Sequence, residues 1–313
     1  MQEIMFDRVL TLDGGFGTAL EKHGLRITGD PLWNARALIT NPDLVVKVHK
    51  EFILAGANVI STNSYHANIE MIQKHAGMTP DAATEVVKDS VRLVRRAISE
   101  LKAKGDARCE KIIIAGAIGP YATTLHDASE YSGHYVDTMD DRTIINYFVR
   151  QARPLLETGV DVLGFETVPA VAEARCILKA LDELPECKAW ISFSCKEGDV
   201  TNHGESFATA VREVSSHERV IAIGINCTAI KYISSLVKSA QNCTNGLPFV
   251  VYPNSGEIYK PETGWTEETT EERRGIDDYV REWIGLNIKG IGGCCRVSSD
   301  DIRKIADAIQ KIQ

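Results

Sequence analysis

Eight short apolar runs, each followed by a longer amphipathic stretch, predict an α/β protein of the (β/α)8 or TIM-barrel class, folded as a single domain over residues 1–313. Three observations carry that prediction. The runs are apolar at successive positions, as strands of a parallel sheet covered by helices are. The stretches between them repeat apolar residues at helical spacing, as in Leu44, Val45, Val48, Phe52 and Ala55. Eight such units fit a chain of 313 residues, close to the usual length of the barrel. A doubly wound open sheet is the other arrangement these elements would satisfy.

The first strand is expected at 9–12 (VLTL), short because the turn sequence Asp13-Gly14-Gly15 follows it. Its helix is expected at 41–55, where Thr40-Asn41-Pro42 sets a capping side chain beside an early-turn proline. The second strand, 58–62 (NVIST), leads to a helix at 81–104. The third, 111–117 (KIIIAGA), leads to one at 143–157, and the fourth, 160–166 (VDVLGFE), to one at 170–184. Their β-branched content suits a pleated, buried surface. The last four strands, at 189–195 (AWISFSC), 220–227 (VIAIGINC), 248–253 (PFVVYP) and 288–293 (IKGIGG), precede helices at 206–216, 229–240, 275–286 and 298–312. The final helix opens with Ser298-Ser299-Asp300-Asp301, which supplies capping oxygens and negative charge. The connections 13–40, 63–80 and 118–142 are expected to be loop-rich, and on a barrel they would wall the C-terminal rim where active sites are built.

Composition narrows the partners. The chain is 44% hydrophobic and 25% charged, with a net charge of -8 and a pI near 5.6. This argues against a nucleic-acid or anionic-membrane surface, both of which want a basic face, and suits small-molecule substrates that are cationic or zwitterionic. The segment Met1 to Arg8 lacks the basic and apolar regions of a signal peptide, and no apolar run is long enough to span a bilayer, so a cytoplasmic enzyme is expected, with a monomer favoured. Eight scattered cysteines fit a reduced interior with one metal cluster better than a disulfide scaffold.

Two strand ends carry the chemistry. Asn287 to Ile291 runs into Gly292-Gly293-Cys294-Cys295, and Val220 to Ile225 runs into Asn226-Cys227. Buried strands ending at one rim would bring Cys227, Cys294 and Cys295 to a single ion, and three thiolates with an open fourth position suit Zn2+. An open zinc site can bind a substrate sulfur. Adjacent residues of a regular strand face opposite ways, so the glycines are expected to adopt backbone angles closed to other residues and turn both sulfurs inward. The alternatives are ordinary buried cysteines or a disulfide between the neighbours.

The remaining strand ends add Asp13-Gly14-Gly15, Thr62-Asn63-Ser64-Tyr65, Gly119-Pro120-Tyr121, Glu166-Thr167, Cys195-Lys196 and Asn254. Asp13 and Glu166 could pair with an ammonium, and the backbone N–H groups of Gly14 and Gly15 could meet a carboxylate, so together they would hold an amino acid. A carboxylate ending a buried strand, as Glu166 does, seldom persists without a partner. Asp13 is equally a turn residue, and Asn226 could either orient a ligand or bond the backbone. Phe16, Trp33, Tyr65, Tyr121 and Tyr131 could face a sulfonium or pack their own loops. His66, His126 and His134 could be zinc ligands or bases but, with three thiolates available, are expected at the surface or in hydrogen bonds. Lys196 could form a Schiff base, and Gly292-Gly293 could serve as a phosphate loop, in a barrel lyase or aldolase.

Taken in order, Leu12-Asp13-Gly14-Gly15, Thr62-Asn63-Ser64-Tyr65, Ala117-Ile118-Gly119-Pro120-Tyr121 with Ser129-Glu130-Tyr131, Phe165-Glu166-Thr167, Phe193-Ser194-Cys195-Lys196, Gly224-Ile225-Asn226-Cys227 and Gly292-Gly293-Cys294-Cys295 resemble the homocysteine S-methyltransferases over nearly the whole chain. The resemblance implies a zinc-dependent barrel in which Cys227, Cys294 and Cys295 hold the metal, homocysteine sulfur takes the fourth place, and Asp13 and Glu166 contact the substrate's amino group. It implies methyl transfer from S-methylmethionine, or less readily S-adenosylmethionine, to homocysteine, forming methionine. Betaine-using relatives carry a tyrosine after the strand-four glutamate and a long C-terminal extension, whereas Thr167 follows Glu166 here and the chain ends after one helix. Selenocysteine as acceptor, a betaine-linked enzyme of the same family, and a zinc-binding barrel without turnover are the alternatives.

Overall fold

Eight parallel strands close on themselves in the computed structural model, which describes residues 5–125, 127–255, 258–260, 264–266 and 274–312. They are β1 (Leu10–Thr11), β2 (Val59–Ser61), β3 (Ile113–Ile118), β4 (Val162–Val168), β5 (Ala189–Phe193), β6 (Val220–Ala229), β7 (Phe249–Asn254) and β8 (Ile288–Ile291). Each pairs with its neighbours in chain order, and β8 pairs with β1 through Leu10–Gly290 and Thr11–Ile291. A bridge between Leu12 and Val59, with Asp13 N donating to Val59 O at 3.2 Å, shuts the ring. The eight strands and their order are those of the predicted barrel, not of an open sheet.

Helices α1 (Pro42–Leu54), α2 (Pro80–Lys102), α3 (Asp141–Thr158), α4 (Val171–Glu183), α5 (Phe207–Val214), α6 (Ile233–Ala240), α7 (Ile276–Gly285) and α8 (Ser299–Ile312) surround it. At α8 the expected cap forms reciprocally: Ser298 N donates to Asp301 Oδ2 and Asp301 N to Ser298 Oγ. At α1 Asn41 stands at the N-cap with proline behind it, but its side chain makes no capping bond; Thr40 Oγ1 donates to it instead. The connections expected to be loops contain the short helices Phe16–Lys22, Arg36–Thr40 and Ile69–Ala76, too brief for a periodic pattern to reveal.

The core lies in two shells. Inside the barrel Leu10, Leu12, Val59, Ala115, Val162, Trp190, Ala222, Val250 and Tyr252 pack together, with Trp190 Nε1 donating to Tyr252 Oη at 3.1 Å. Gly164 makes room for that indole, since a Cβ there would stand 2.9 Å from its ring. The larger shell lies between sheet and helices. At the C-terminal ends of β4 and β6 the register slips, between Phe165 and Val168 and between Asn226 and Ala229. Those two bulges build the site.

Candidate metal centre

In each bulge one residue that is not glycine takes a left-handed backbone: Thr167 (φ 61°) on β4 and Cys227 (φ 47°) on β6. Such a conformation costs about 1–2 kcal/mol and persists only where neighbours enforce it. Asn226 does so. Its Oδ1 accepts from Thr167 N and its Nδ2 donates to Thr167 Oγ1, both at 2.8 Å and both buried. The side chain locks the two bulges to each other, so Asn226 positions Cys227 and spends its amide on protein. The bulge turns Cys227 Sγ over the rim, 2.7 Å from Cys294 Sγ and 3.8 Å from Cys295 Sγ.

Gly292 and Gly293 are needed, but not for the expected reason. Neither has a positive φ. A Cβ on Gly292 would stand 2.7 Å from Asp13 O, and one on Gly293 would collide with Val297. The requirement is close approach of two backbones, and the left-handed residue of this turn is Arg296 (φ 65°). Gly14 and Gly15 meet the same turn from the other side, where a Cβ would lie 2.7 Å from Val297 O or 2.5 Å from Cys294 O. Gly15 N donates to Val297 O at 2.9 Å, so the N–H expected to meet a substrate carboxylate is already used.

The same accounting removes a phosphate loop. Gly292 N donates to Val251 O, Gly293 N to Asp13 O, Cys294 N to Pro253 O, Cys295 N to Asn254 Oδ1 and Arg296 N to Thr18 Oγ1, leaving the turn no N–H for an anion. Lys196 is exposed on a hairpin beyond β5, where Nζ donates to Asn202 O at 2.9 Å, and does not reach the rim centre. Neither part of the lyase reading has a site.

Asp13 is 7% exposed and accepts from Ser61 N at 2.8 Å and Ser61 Oγ at 3.1 Å; burial pushes its pKa up to about 7 against those bonds. Glu166 has no such support. Its Oε1 is buried without a hydrogen-bond partner, and its pKa is driven well above the carboxylate range by burial, then by Cys294 and Asp13. An orphaned carboxylate oxygen beside a sulfur cluster is what a site for a cation leaves behind. Thr62 is buried and committed to protein, with Oγ1 accepting from Ala117 N at 3.0 Å and bonding Ser64 Oγ.

A loop covers this rim. From β3 the chain passes through Tyr121–Thr124, Ser129–Tyr131 and His134–Asp137 as three 3₁₀ turns. Tyr131 is 49% exposed, and its hydroxyl is held well above the phenol range chiefly by the charge of Cys227. Tyr65 is raised by burial, then by Glu130 and Cys227. Of the other loop aromatics, Phe16 packs on His49 and Trp33 near His66, while Tyr121 sets its edge against Tyr147. His66 bonds Asn34, His134 is exposed, and His126 lies outside the described residues.

Sequence reasoning missed the residue that pins this loop. Glu173, fully buried on α4, accepts from Tyr121 N at 2.7 Å and Tyr135 Oη at 2.6 Å, and burial lifts its pKa to about 7. A glutamate in the first turn of a helix reads as an ordinary dipole partner, so only its buried position distinguishes it.

The trio fits a thiophilic cation. All three ligand sulfurs lie within 4.8 Å of one another. The 3.8 Å pair matches the separation of about 3.8 Å for two sulfurs 2.3 Å from a tetrahedral ion, and the 2.7 Å pair stands closer than that. Hydrogen bonds from Cys227 and Cys294 hold Cys295 well below the thiol range, while bonds with Cys294 and Cys295 push Cys227 well above it. Three sulfurs this close ionise together only if a cation neutralises them.

Known proteins place the chain in a family. The family profile described as Homocysteine S-methyltransferase matches residues 10–309. The chain is 35% identical to a Drosophila melanogaster protein named Betaine-homocysteine S-methyltransferase, over 96% of this chain and 95% of that one. It is 36% identical to Homocysteine S-methyltransferase 3 of Arabidopsis thaliana, over 95% of this chain and 89% of that one. It superposes with a TM-score of 0.85 on the metallated form of the homocysteine methyltransferase MmuM from Escherichia coli, at 29% identity over 98% and 99% of the two chains. The chain belongs to the homocysteine S-methyltransferase family and is an enzyme that methylates homocysteine.

Proposed function

From membership of that family, we propose that Cys227, Cys294 and Cys295 hold a zinc ion and that the methyl group comes from S-methylmethionine, or less readily S-adenosylmethionine, giving methionine. The observation that carries this reading is the convergence of three sulfurs beside the unpartnered Glu166 Oε1. When bound, zinc lowers the pKa of a substrate thiol so that the sulfur is a nucleophile at neutral pH.

The chain's own residues do the rest by positioning. Glu166 receives the substrate ammonium first, because Asp13 has Ser61 on both oxygens and acts as the neighbouring charge. The cation restores both carboxyls to their ionised form, relieving the cost of burying them. Tyr131 and Tyr65 offer aromatic faces to an onium donor. Glu173 and the covering loop exclude water from the reacting sulfur. In the transfer the homocysteine sulfur forms a bond to the methyl carbon, the donor's sulfur–carbon bond breaks with its pair retained by the donor sulfur, and that sulfur leaves as a neutral thioether. Three adjacent reduced cysteines suit a reducing compartment such as the cytoplasm.

A betaine donor is the second reading, favoured by the Drosophila relative. A panel of S-methylmethionine, S-adenosylmethionine, betaine and methylfolate assayed with homocysteine separates the two. Methionine formation fastest with S-methylmethionine is expected. Turnover with betaine alone would overturn the donor, and a metal-loaded chain inert with every donor would overturn the reaction. Cys227→Ser, Cys294→Ser and Cys295→Ser should each lose zinc and activity together.

A further inference from the structure

A different group of ligand atoms gathers on the outer side of the covering loop. His134 and Asp137 come from its last 3₁₀ turn, and His203 from the loop after β5. His203 Nε2 is 3.1 Å from Asp137 Oδ1, His134 Nδ1 is 3.8 Å from Asp137 Oδ2, and all three ligand atoms lie within 4.8 Å of one another. We propose that His134, Asp137 and His203 form an exchangeable divalent-metal site, separate from the cysteine trio, that ties the covering loop to the β5 loop.

What distinguishes the cluster from a surface ion pair is how His203 is held. Its side chain is 21% exposed, and its other nitrogen, Nδ1, is 3.1 Å from Glu205 Oε1. Glu205 is itself fixed by the Thr201 hydroxyl and by Val171 N at 3.0 Å. A carboxylate gripping Nδ1 is the partner that metal-binding histidines nearly always have, and Nε2, which faces Asp137, becomes an electron-pair donor once its proton is lost. The ring is also seated from below: His203 N donates to Pro169 O, and Gly133 leaves the space that His203 Cβ approaches.

Two imidazoles and one carboxylate suit Zn2+, Ni2+ or Co2+ rather than Ca2+ or Mg2+, which want all-oxygen shells. Ligand atoms around an ion with bonds of about 2.1 Å stand about 3.0–3.4 Å apart, so His134 Nδ1, 3.8 Å from Asp137 Oδ2 and within 4.8 Å of the His203 ligand atom, has to close by up to about 1.8 Å. It is free to do so, with its side chain 75% exposed. Asp137 is 56% exposed, which leaves coordination positions for water and a path for exchange. Binding removes the proton that His203 Nε2 shares with Asp137, so occupancy rises with pH.

The test is metal counting, which needs no turnover. The full chain is equilibrated by dialysis against buffered micromolar Zn2+ at mildly alkaline pH, and bound zinc per chain is measured. His134→Ala, at an exposed position that cannot unfold the barrel, should lose one ion relative to the unmodified chain. Glu205→Gln should weaken that ion roughly 10–100-fold. Cys227→Ser should retain it. An unmodified chain and His134→Ala that bind the same amount of zinc overturn the proposal. Zinc lost in His134→Ala but unaffected by Cys227→Ser supports it while sinking the cysteine reading, so the two proposals fail separately.

Discussion

Replacing Glu173 should loosen the loop over the thiols without touching them. Its carboxylate takes two short bonds, from Tyr121 N and from Tyr135 Oη, which fasten the loop at its start and near its end. In Glu173→Ala both donors stay buried without an acceptor, at about 1–3 kcal/mol each, so the variant should lose about 2–6 kcal/mol of stability. Glu173→Gln keeps one acceptor and should lose about half as much. The pH dependence separates this argument from general damage. Burial raises the folded-state pKa of Glu173 from 4.5 to about 7, so between those values the folded chain binds a proton that the unfolded chain has released. Its contribution is therefore greatest below pH about 4.5, falls by about 3 kcal/mol as pH rises to about 7, and is level above that. Glutamine does not titrate. Urea unfolding between pH about 5 and 8 should show the unmodified chain losing about 3 kcal/mol relative to Glu173→Gln as pH rises, with kcat/KM for methyl transfer lowered in both variants. An unmodified chain that holds or gains stability relative to Glu173→Gln as pH rises would refute the reasoning.

Glu166→Gln should leave the ligand-free chain as stable as before or more so, because a buried carboxyl with one unpartnered oxygen is exchanged for a neutral amide, while KM for homocysteine rises at least tenfold; a clear fall in Tm with KM unchanged would count against a substrate role. Asn226→Ala removes both bonds to Thr167 and should cost about 2–4 kcal/mol in chemical unfolding, with zinc bound more weakly because Cys227 loses its enforced backbone; normal zinc affinity would show that the bulge holds itself. Gly293→Ala should place a methyl group against Val297 and cost about 1–3 kcal/mol or more, with zinc content falling in parallel, and full zinc occupancy would show that the turn can open.

The architecture was legible in the chain because each of its elements announces itself locally. Eight runs such as VIAIGINC and PFVVYP carry no polar alternation, so they had to be buried on both faces, and the caps at Ser298 and Pro42 bracket helices within a residue or two of their observed bounds. The cysteine trio was legible too, since two strands that end in sulfur must meet if all strands end on one rim. The rim positions of Asp13 and Glu166 were legible for the same reason: carboxylates at the ends of buried strands stand out against their neighbours.

What the sequence alone determined, then, was which side chains stand at the rim. Only the tertiary structure decided which of them are spent on protein and which remain for a ligand. Thr62, Asn226 and the Gly15 N–H turn out to be spent, Glu166 Oε1 does not, and Glu173 and the His134–Asp137–His203 group emerge from stretches with no local signature. The physical reason is that hydrogen-bond satisfaction and steric room depend on partners far away in the chain. Asn226 finds Thr167 across 59 residues, His203 finds Asp137 across 66, and Gly293 is required by Val297 rather than by its own backbone angles. Periodicity reports which face of an element is buried, whereas the identity of the atom opposite is settled when the barrel closes.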